Sequence, residues 1–216
     1  MTTHLTRAMH KIKKEVLSLG AMVEDRFKKA IDAIQNEDLD QAQYIIDTDF
    51  KVDEREVEVE EECLKTLALY QPVATDLRLI IAVVKINNDL ERIADYAVNI
   101  AQRYKTSSHN PSDFKYDYRA MADQAAKMLK MSLDALVSMN VDTAYTVREM
   151  DKQVNAMRNE AYRVMKMNIQ ARPQMVQEII NMYLISRHIE RVGDHTTNIA
   201  EEVIYLIEGE IIRHSA

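Results

Sequence analysis

The sequence is poor in the residues that interrupt regular structure. Its 216 residues include only three glycines and three prolines, and no tryptophan. Since glycine and proline mark most turns, little of the chain can be loop. The remaining residues are rich in Ala, Leu, Met, Glu, Lys, Arg and Gln, which favour helices. The composition therefore predicts an all-α protein, long enough for one domain or two small ones.

Three further absences narrow the class of protein. No apolar run approaches the ~20 residues that span a bilayer, and no apolar stretch follows the basic N-terminus as it would in a secretory signal. A single cysteine, Cys63, cannot form an internal disulfide, in keeping with a reducing compartment. The formal net charge of −7 disfavours nucleic acid and anionic lipid as partners and favours cations. We therefore expect a cytoplasmic protein with no membrane insertion and no nucleic-acid partner.

An internal repeat organises the chain. Residues 85–101 align with residues 184–200 at an offset of 99, sharing the pattern E-R-[IV]-[AG]-D-x-x-x-N-I-A. Earlier in each half the offset is 102, so that Asp49 aligns with Asp151. Such self-similarity indicates that one structural unit occurs twice. We predict two tandem, sequence-related three-helix bundles, residues 1–108 and 109–216, with the boundary in the polar segment 105–113.

Each half contains the pattern of three long helices. The predicted helices cover residues 5–36, 38–70 and 73–104 in the first half, and 115–139, 141–170 and 174–212 in the second. The last helix of each half carries an apolar seam with spacings of three and four, typical of helices packed at small angles. The seam residues are Val83, Ile86, Leu90, Ile93, Ala97 and Ile100, then Met182, Ile185, Ile189, Val192, Thr196, Ile199, Val203 and Leu206.

A polar stripe repeats on the middle and last helices of both halves. On the last helix its members are spaced by four, and they lie roughly 170° around the helix from the centre of the seam. The stripes consist of Glu91, Asp95 and Asn99 with Asp49 and Asp53 in the first half, and of Glu190, Asp194 and Asn198 with Asp151 and Asn155 in the second. If the two helices are neighbours, these side chains converge on an outer groove.

Crowded carboxylates repel each other, and a cation between them relieves the repulsion. Oxygen ligands suit hard cations, so we predict surface sites for Mg²⁺, Ca²⁺, Mn²⁺, iron or Zn²⁺. The predicted ligands are Asp49, Asp53, Glu91, Asp95, Asp151, Glu190 and Asp194. Asn155 removes one charge from the second site, which should bind more weakly. An ordinary solvated acidic face stays open as the alternative, and His188 and His195 flank the second stripe as candidate nitrogen ligands.

The sequence gives no positive reason to predict an enzyme. It contains no nucleophile elbow, phosphate-binding glycine loop, zinc-spaced Cys/His set or dinucleotide fingerprint. The E-x-x-H pair of ferritin-like di-iron enzymes is absent too. Two other functions stay open. One is a purely structural helical scaffold, and the other is a metal-dependent phosphoester hydrolase in which Arg92 or Arg191 holds the substrate phosphate.

The repeated motif, together with the sequence QPVATDLR at residues 71–78, resembles the PhoU family over nearly the whole chain. The resemblance implies two related three-helix bundles and a regulatory, non-catalytic role. Members of the family help to shut down the phosphate-starvation response when phosphate is plentiful. They act between a phosphate ABC transporter and a sensor histidine kinase at the inner face of the membrane. Homodimers are also implied, as are surface metal clusters held by E/D-x-x-x-D motifs, here the same seven acidic residues.

Overall fold

The computed structural model describes residues 3–108, 114–210 and 212, and this part of the chain is helical with no strand. The first bundle consists of α1 (Thr3–Gln35), α2 (Leu39–Asp47), α3 (Phe50–Tyr70) and α4 (Ala74–Ser108). The second consists of α5 (Arg119–Ser138), α6 (Val141–Ala171) and, after one 3₁₀ turn at Pro173–Met175, α7 (Val176–Glu208). The predicted all-α fold of two tandem, sequence-related three-helix bundles is confirmed, with α2 and α3 together occupying the place of the first bundle's middle helix.

The middle helices of the two bundles begin in the same way. Asp38 and Asn140, which differ by the repeat offset of 102, each accept a hydrogen bond from the backbone N–H three residues further on, at 2.8 and 3.0 Å. The residues before them, Glu37 and Met139, both have positive φ angles, 57° and 51°. Each side chain satisfies a backbone donor that the first turn of a helix leaves unpaired. The repeat therefore preserves the turn as well as the helices.

The middle helix of the first bundle differs from its prediction, because it is broken at Thr48 and Asp49 instead of running through residues 38–70. The cause is Arg26 of α1, which is buried. Its guanidinium donates to the backbone carbonyls of Ile45 and of Thr48, the latter at 3.2 Å, and pairs with the Asp49 carboxylate at 3.1 Å. These carbonyls are ones that a continuous helix would bond to its next turn. In the second bundle Met128 stands at the equivalent offset and cannot donate, and α6 is unbroken.

Other helix ends lie within a few residues of their predicted positions. Helix α7 ends at Glu208 instead of 212, because Gly209 adopts the left-handed φ of 80° and bonds its N–H to the Tyr205 carbonyl. Helix α4 continues to Ser108, and α5 begins at Arg119. Residues 109–113 of the predicted linker lie outside the described residues, so the domain boundary stays a prediction.

The two bundles share one hydrophobic core. As predicted, the seam residues Leu90, Ile93, Ile189 and Val192 are fully buried. Helix α1 also packs on α5, where Gly20 lies so close that a Cβ there would come within 2.7 Å of a methyl group of Leu133. None of the described helices combines the length and the apolar content needed to cross a bilayer.

Helices α4 and α7 run antiparallel across the contact between the bundles. Lys85 near the start of α4 pairs with Glu202 near the end of α7 at 3.2 Å. Near the other end, Arg103 donates to the Asn181 side chain at 3.4 Å. The tips of the α3–α4 and α6–α7 turns therefore lie at opposite ends of the molecule.

We predict that Leu90→Ala lowers the free energy of unfolding by about 2–5 kcal/mol, because it opens a cavity in the α4 seam. The matched control is Leu64→Ala, since Leu64 is 55% exposed on α3. That change should stay within about 0.5 kcal/mol. Chemical denaturation of the two variants and the wild type measures both effects, and equal losses would contradict the assignment of the seam.

Candidate metal centres

The four carboxylates predicted for the first bundle lie together where α3 meets α4. Asp49 stands at the start of α3, with Asp53 one turn further on, and Glu91 and Asp95 are one turn apart on α4. Asp49 interacts electrostatically with Asp53 and Asp95, and Glu91 interacts with the same two aspartates. The predicted neighbourhood of these four side chains is thus present in the structure.

The environment of this cluster disfavours negative charge. Burial raises the pKa of Asp49; Arg26 opposes that rise, and the neighbouring aspartates add to it. Burial also raises the pKa of Glu91, with a further rise from Asp95 that Arg92 partly offsets. A raised carboxyl pKa means that the ionised form is less stable here than in water. A bound cation would remove this destabilisation.

A fifth carboxylate, Glu56, belongs to the cluster but is not among the ligands predicted from the sequence. Glu56 lies one turn beyond Asp53 on α3 and interacts electrostatically with Glu91. Asn87, which is 99% buried on α4, donates its side-chain N–H to the Glu56 carboxylate and to its backbone carbonyl, both at 2.9 Å. The sequence pattern could have predicted this position, since a spacing of three from Asp53 places Glu56 on the same helix face.

The second bundle brings Asp151 of α6 next to Asp194 of α7. Burial raises the pKa of Asp151, and Asp194 and Glu190 raise it further, while a 2.6 Å hydrogen bond from the Asn155 amide acts in the opposite direction. Burial and the charge of Glu190 raise the pKa of Asp194, against the effect of Arg191. The three acids predicted for this bundle are therefore neighbours.

Glu190 does not lie on an outward face as its stripe predicts, because it is only 5% exposed. Its carboxylate accepts hydrogen bonds from Nε and Nη2 of Arg158 at 3.2 and 3.0 Å. Arg187 of its own helix approaches the other carboxylate oxygen at 3.2 Å. The two guanidinium groups form ion pairs with Glu190, which is why a carboxylate is stable at this depth.

The residues of the first bundle fit a hard cation better than those of the second. Glu91 Oε2 is buried without a hydrogen-bond donor, as is Asp151 Oδ1 in the second bundle. Among the residues that the structure describes, no three His, Cys, Asp or Glu side chains are already grouped to hold one ion, so ligation requires side-chain rotation. In the first bundle Asp49 pairs with Arg26 and Glu91 with Arg92, whereas Glu190 in the second bundle is held by two arginines, Arg158 and Arg187.

The repeated arginines are engaged by their own helices. Arg92 lies 3.5 Å from Glu91 and 3.4 Å from Asp95, and Arg191 lies 2.9 Å from Asp194. All of these are pairs of exposed or half-buried groups, which are weak. The arginines therefore compensate the stripes instead of projecting freely toward a substrate phosphate.

The two histidines near the second stripe belong to the contact between α4 and α7. The rings of His188 and His195 lie 5.7 and 5.6 Å from the Tyr96 ring of α4. His195 Nδ1 is 2.8 Å from the Asp89 carboxylate. Burial, with help from Arg103, lowers the pKa of His188 to about 4. These contacts give both histidines a role in joining the bundles.

Two copies of one three-helix bundle, each with carboxylates on its middle and last helices, define a duplicated helical-bundle protein with paired acidic surface clusters. The family model of the PhoU domain matches the chain twice, over residues 16–104 and 118–203. The chain therefore belongs to the PhoU family. Each match covers most of one bundle and includes all the acidic residues predicted there.

Known proteins of the family resemble the chain along its length. It is 33% identical to the phosphate-specific transport system accessory protein PhoU homolog of Pseudomonas aeruginosa, over 99% of this chain and 91% of that protein. The accessory protein PhoU of Escherichia coli is 31% identical, over 95% of this chain and 86% of its own length. The crystal structure of PhoU from Pseudomonas aeruginosa matches with a TM-score of 0.91 at 33% identity, covering 95% of this chain and 99% of that one.

A second solved structure supports the same fold. The phosphate transport system regulatory protein PhoU from Streptococcus pneumoniae matches with a TM-score of 0.86 at 25% identity, over 96% of this chain and 98% of that one. The likeness thus includes both bundles and their relative placement.

We predict that Glu91→Gln flattens the pH dependence of stability in metal-free protein. Because burial raises the pKa of Glu91 above its ordinary 4.5, the folded state holds this proton more tightly than the unfolded chain does. The resulting stability is present below the unfolded pKa and is lost as pH rises through the folded pKa. Glutamine cannot titrate, so the variant should lose less stability between about pH 4 and pH 7. Melting temperatures of chelator-treated protein across this range measure the effect.

The control for this prediction is Glu61→Gln, which removes an exposed glutamate from α3. It should retain the wild-type slope. If Glu91→Gln and Glu61→Gln both match the wild type, the first cluster does not disfavour ionisation.

Proposed function

We propose that this protein is a non-enzymatic regulator of phosphate uptake and of phosphate-starvation signalling. The observation that carries the proposal is its similarity, over almost its whole length, to proteins named phosphate-specific transport system accessory proteins. It acts as an adaptor between a phosphate ABC transporter and a sensor histidine kinase, on the cytoplasmic side of the inner membrane. The family resemblance supports these two partners and a homodimer.

The surface of the first bundle supports an adaptor role. The turn between α3 and α4 exposes apolar side chains, with Leu69, Val73 and Leu77 at 62%, 74% and 39% exposure. Gln71 and Ala74 on either side of this turn have positive φ angles of 46° and 50°, which cost energy for residues other than glycine. An exposed apolar patch on a strained turn is typical of a surface that contacts a partner.

We further propose that the first cluster binds hard cations, with Asp49, Asp53, Glu91 and Asp95 as ligands. Oxygen-only ligands suit Mg²⁺, Ca²⁺, Mn²⁺, iron or Zn²⁺, which neutralise the charge that burial makes unfavourable. The metal supports the fold of the adaptor, and no catalytic step is assigned to it. The competing function is a structural scaffold without metal, in which the same acids only solvate the surface.

We expect cations to stabilise chelator-treated wild-type protein by about 2.7 kcal/mol when free metal exceeds its dissociation constant a hundredfold. The double variant Glu91→Gln/Asp95→Asn should lose most of this gain, because it removes two ligands. Its matched control, Glu190→Gln/Asp194→Asn, makes the same change in the second bundle and should matter less. The measurement is melting temperature during titration with each of the five metals in turn. Equal responses from all three proteins would favour the scaffold.

The regulatory role has a separate test in the source cell. Deleting the gene should leave phosphate-starvation genes switched on in phosphate-rich medium, and the wild-type gene supplied in trans should restore repression. Transcript levels in high and low phosphate measure this directly. Normal repression in the deletion strain, with no second copy of the gene, would refute the proposed role.

A further inference from the structure

The register between α3 and α6 is fixed by their buried residues. With the offset of 102, the buried residues of α3 align with buried residues of α6. The pairs are Val52 with Val154, Val59 with Ala161, and Cys63 with Met165. Three matching positions over three turns leave no room for a shift. Glu56 of the first bundle therefore corresponds to Arg158 of the second, which is a reversal of charge.

Each of these residues is directed into the cluster of its own bundle. Glu56 is held by the 99% buried amide of Asn87 on α4 and interacts electrostatically with Glu91. Arg158 reaches the carboxylate of Glu190, the repeat counterpart of Glu91, at 3.0 and 3.2 Å. The same place beside the equivalent glutamate thus carries a carboxylate in one bundle and a guanidinium in the other.

The charge balance of the two clusters differs as a result. Among the residues that the structure describes, five carboxylates of the first bundle, including Glu56, face two arginines, Arg26 and Arg92. In the second, two of the three carboxylates pair with arginines, Glu190 with two of them and Asp194 with one. These arginines are Arg158, Arg187 and Arg191. The first cluster therefore has more carboxylates than arginines, whereas in the second the two numbers are equal.

We propose that the guanidinium of Arg158 takes the position in the second bundle that a metal ion takes in the first, an inference that rests on the proposed function. The second cluster is therefore closed to cations, and the residue at position 56 or 158 decides whether a bundle binds metal. A guanidinium is always charged and matches a carboxylate geometrically, so its pairing with Glu190 does not depend on the protonation of the arginine. It also repels any cation that approaches Asp151 and Asp194.

The test exchanges the two residues and counts bound Mn²⁺ on the full-length, chelator-treated protein. Electron paramagnetic resonance of free Mn²⁺ gives the number bound per chain. Arg158→Glu should bind at least one Mn²⁺ more than wild type, and Glu56→Arg at least one fewer. The control Arg163→Glu makes the same charge change on α6 outside the cluster, where Arg163 pairs with Glu160, and should match wild type. Arg158→Gln, which adds no new repulsion, gives a second route if circular dichroism shows Arg158→Glu unfolded, and it too should gain Mn²⁺.

The outcomes separate this inference from the proposed function. If neither position-158 variant gains Mn²⁺ while folded, the proposed role of Arg158 is refuted. The same conclusion follows if Asp194→Asn, made in the wild-type protein, lowers the number of bound Mn²⁺ ions. If the wild type binds no Mn²⁺ but a position-158 variant does, the metal site proposed for the first bundle is refuted. The role of Arg158 in excluding cations from the second bundle is then still supported. A gain in Arg163→Glu equal to that in Arg158→Glu would reduce the effect to net charge and overturn the inference.

Discussion

The antiparallel packing of α4 against α7 is the contact on which the rest of the arrangement depends. Helix α4 touches every helix of its own bundle as well as α7, and α7 touches α5, α6 and α4. A helix surrounded in this way keeps only a narrow strip of open surface, and the carboxylates lie on that strip beside the middle helix. The neighbouring helices exclude water from most of them, and this burial raises the pKa of Asp49, Glu91, Asp151 and Asp194. The acidic clusters therefore depend on how the middle and last helices of each bundle pack.

The centre of this contact shows both the duplication and its divergence. Tyr96 and His195 differ by the repeat offset of 99, and their rings lie 5.6 Å apart, so a local two-fold relation passes between them. On one side His195 contacts the Asp89 carboxylate at 2.8 Å. On the other, the equivalent pair of Tyr96 and His188 makes only a ring contact at 5.7 Å. A partly buried polar pair favours one register, since sliding by a turn would separate Asp89 from His195.

The periodicity and the internal repeat of the sequence predicted those features of the structure that depend on residues close together along one helix. The helices, the buried seam at Leu90 and Ile189, and the neighbourhood of the acidic residues all follow from spacings of three and four. What escaped prediction depends on residues far apart in the chain. The break between α2 and α3 is caused by Arg26, which lies 23 residues before Asp49 and acts from another helix. The burial of Glu190 depends on Arg158, whose importance emerges only when the repeat is extended to its counterpart Glu56.

The two clusters represent different solutions to one electrostatic problem. Carboxylates crowded in a half-buried groove need a positive charge, and a guanidinium on the same chain supplies it under all conditions. A bound ion supplies it only in proportion to occupancy, so its contribution grows as RT ln(1 + [M]/Kd). If Arg158 stands in for the ion, the stability of the second bundle does not depend on cation concentration, whereas that of the first does. Because α4 belongs to the first bundle and packs along α7 of the second, a change in one reaches the other through a shared core. A fixed half and a responsive half in one chain suit a protein whose task is regulation.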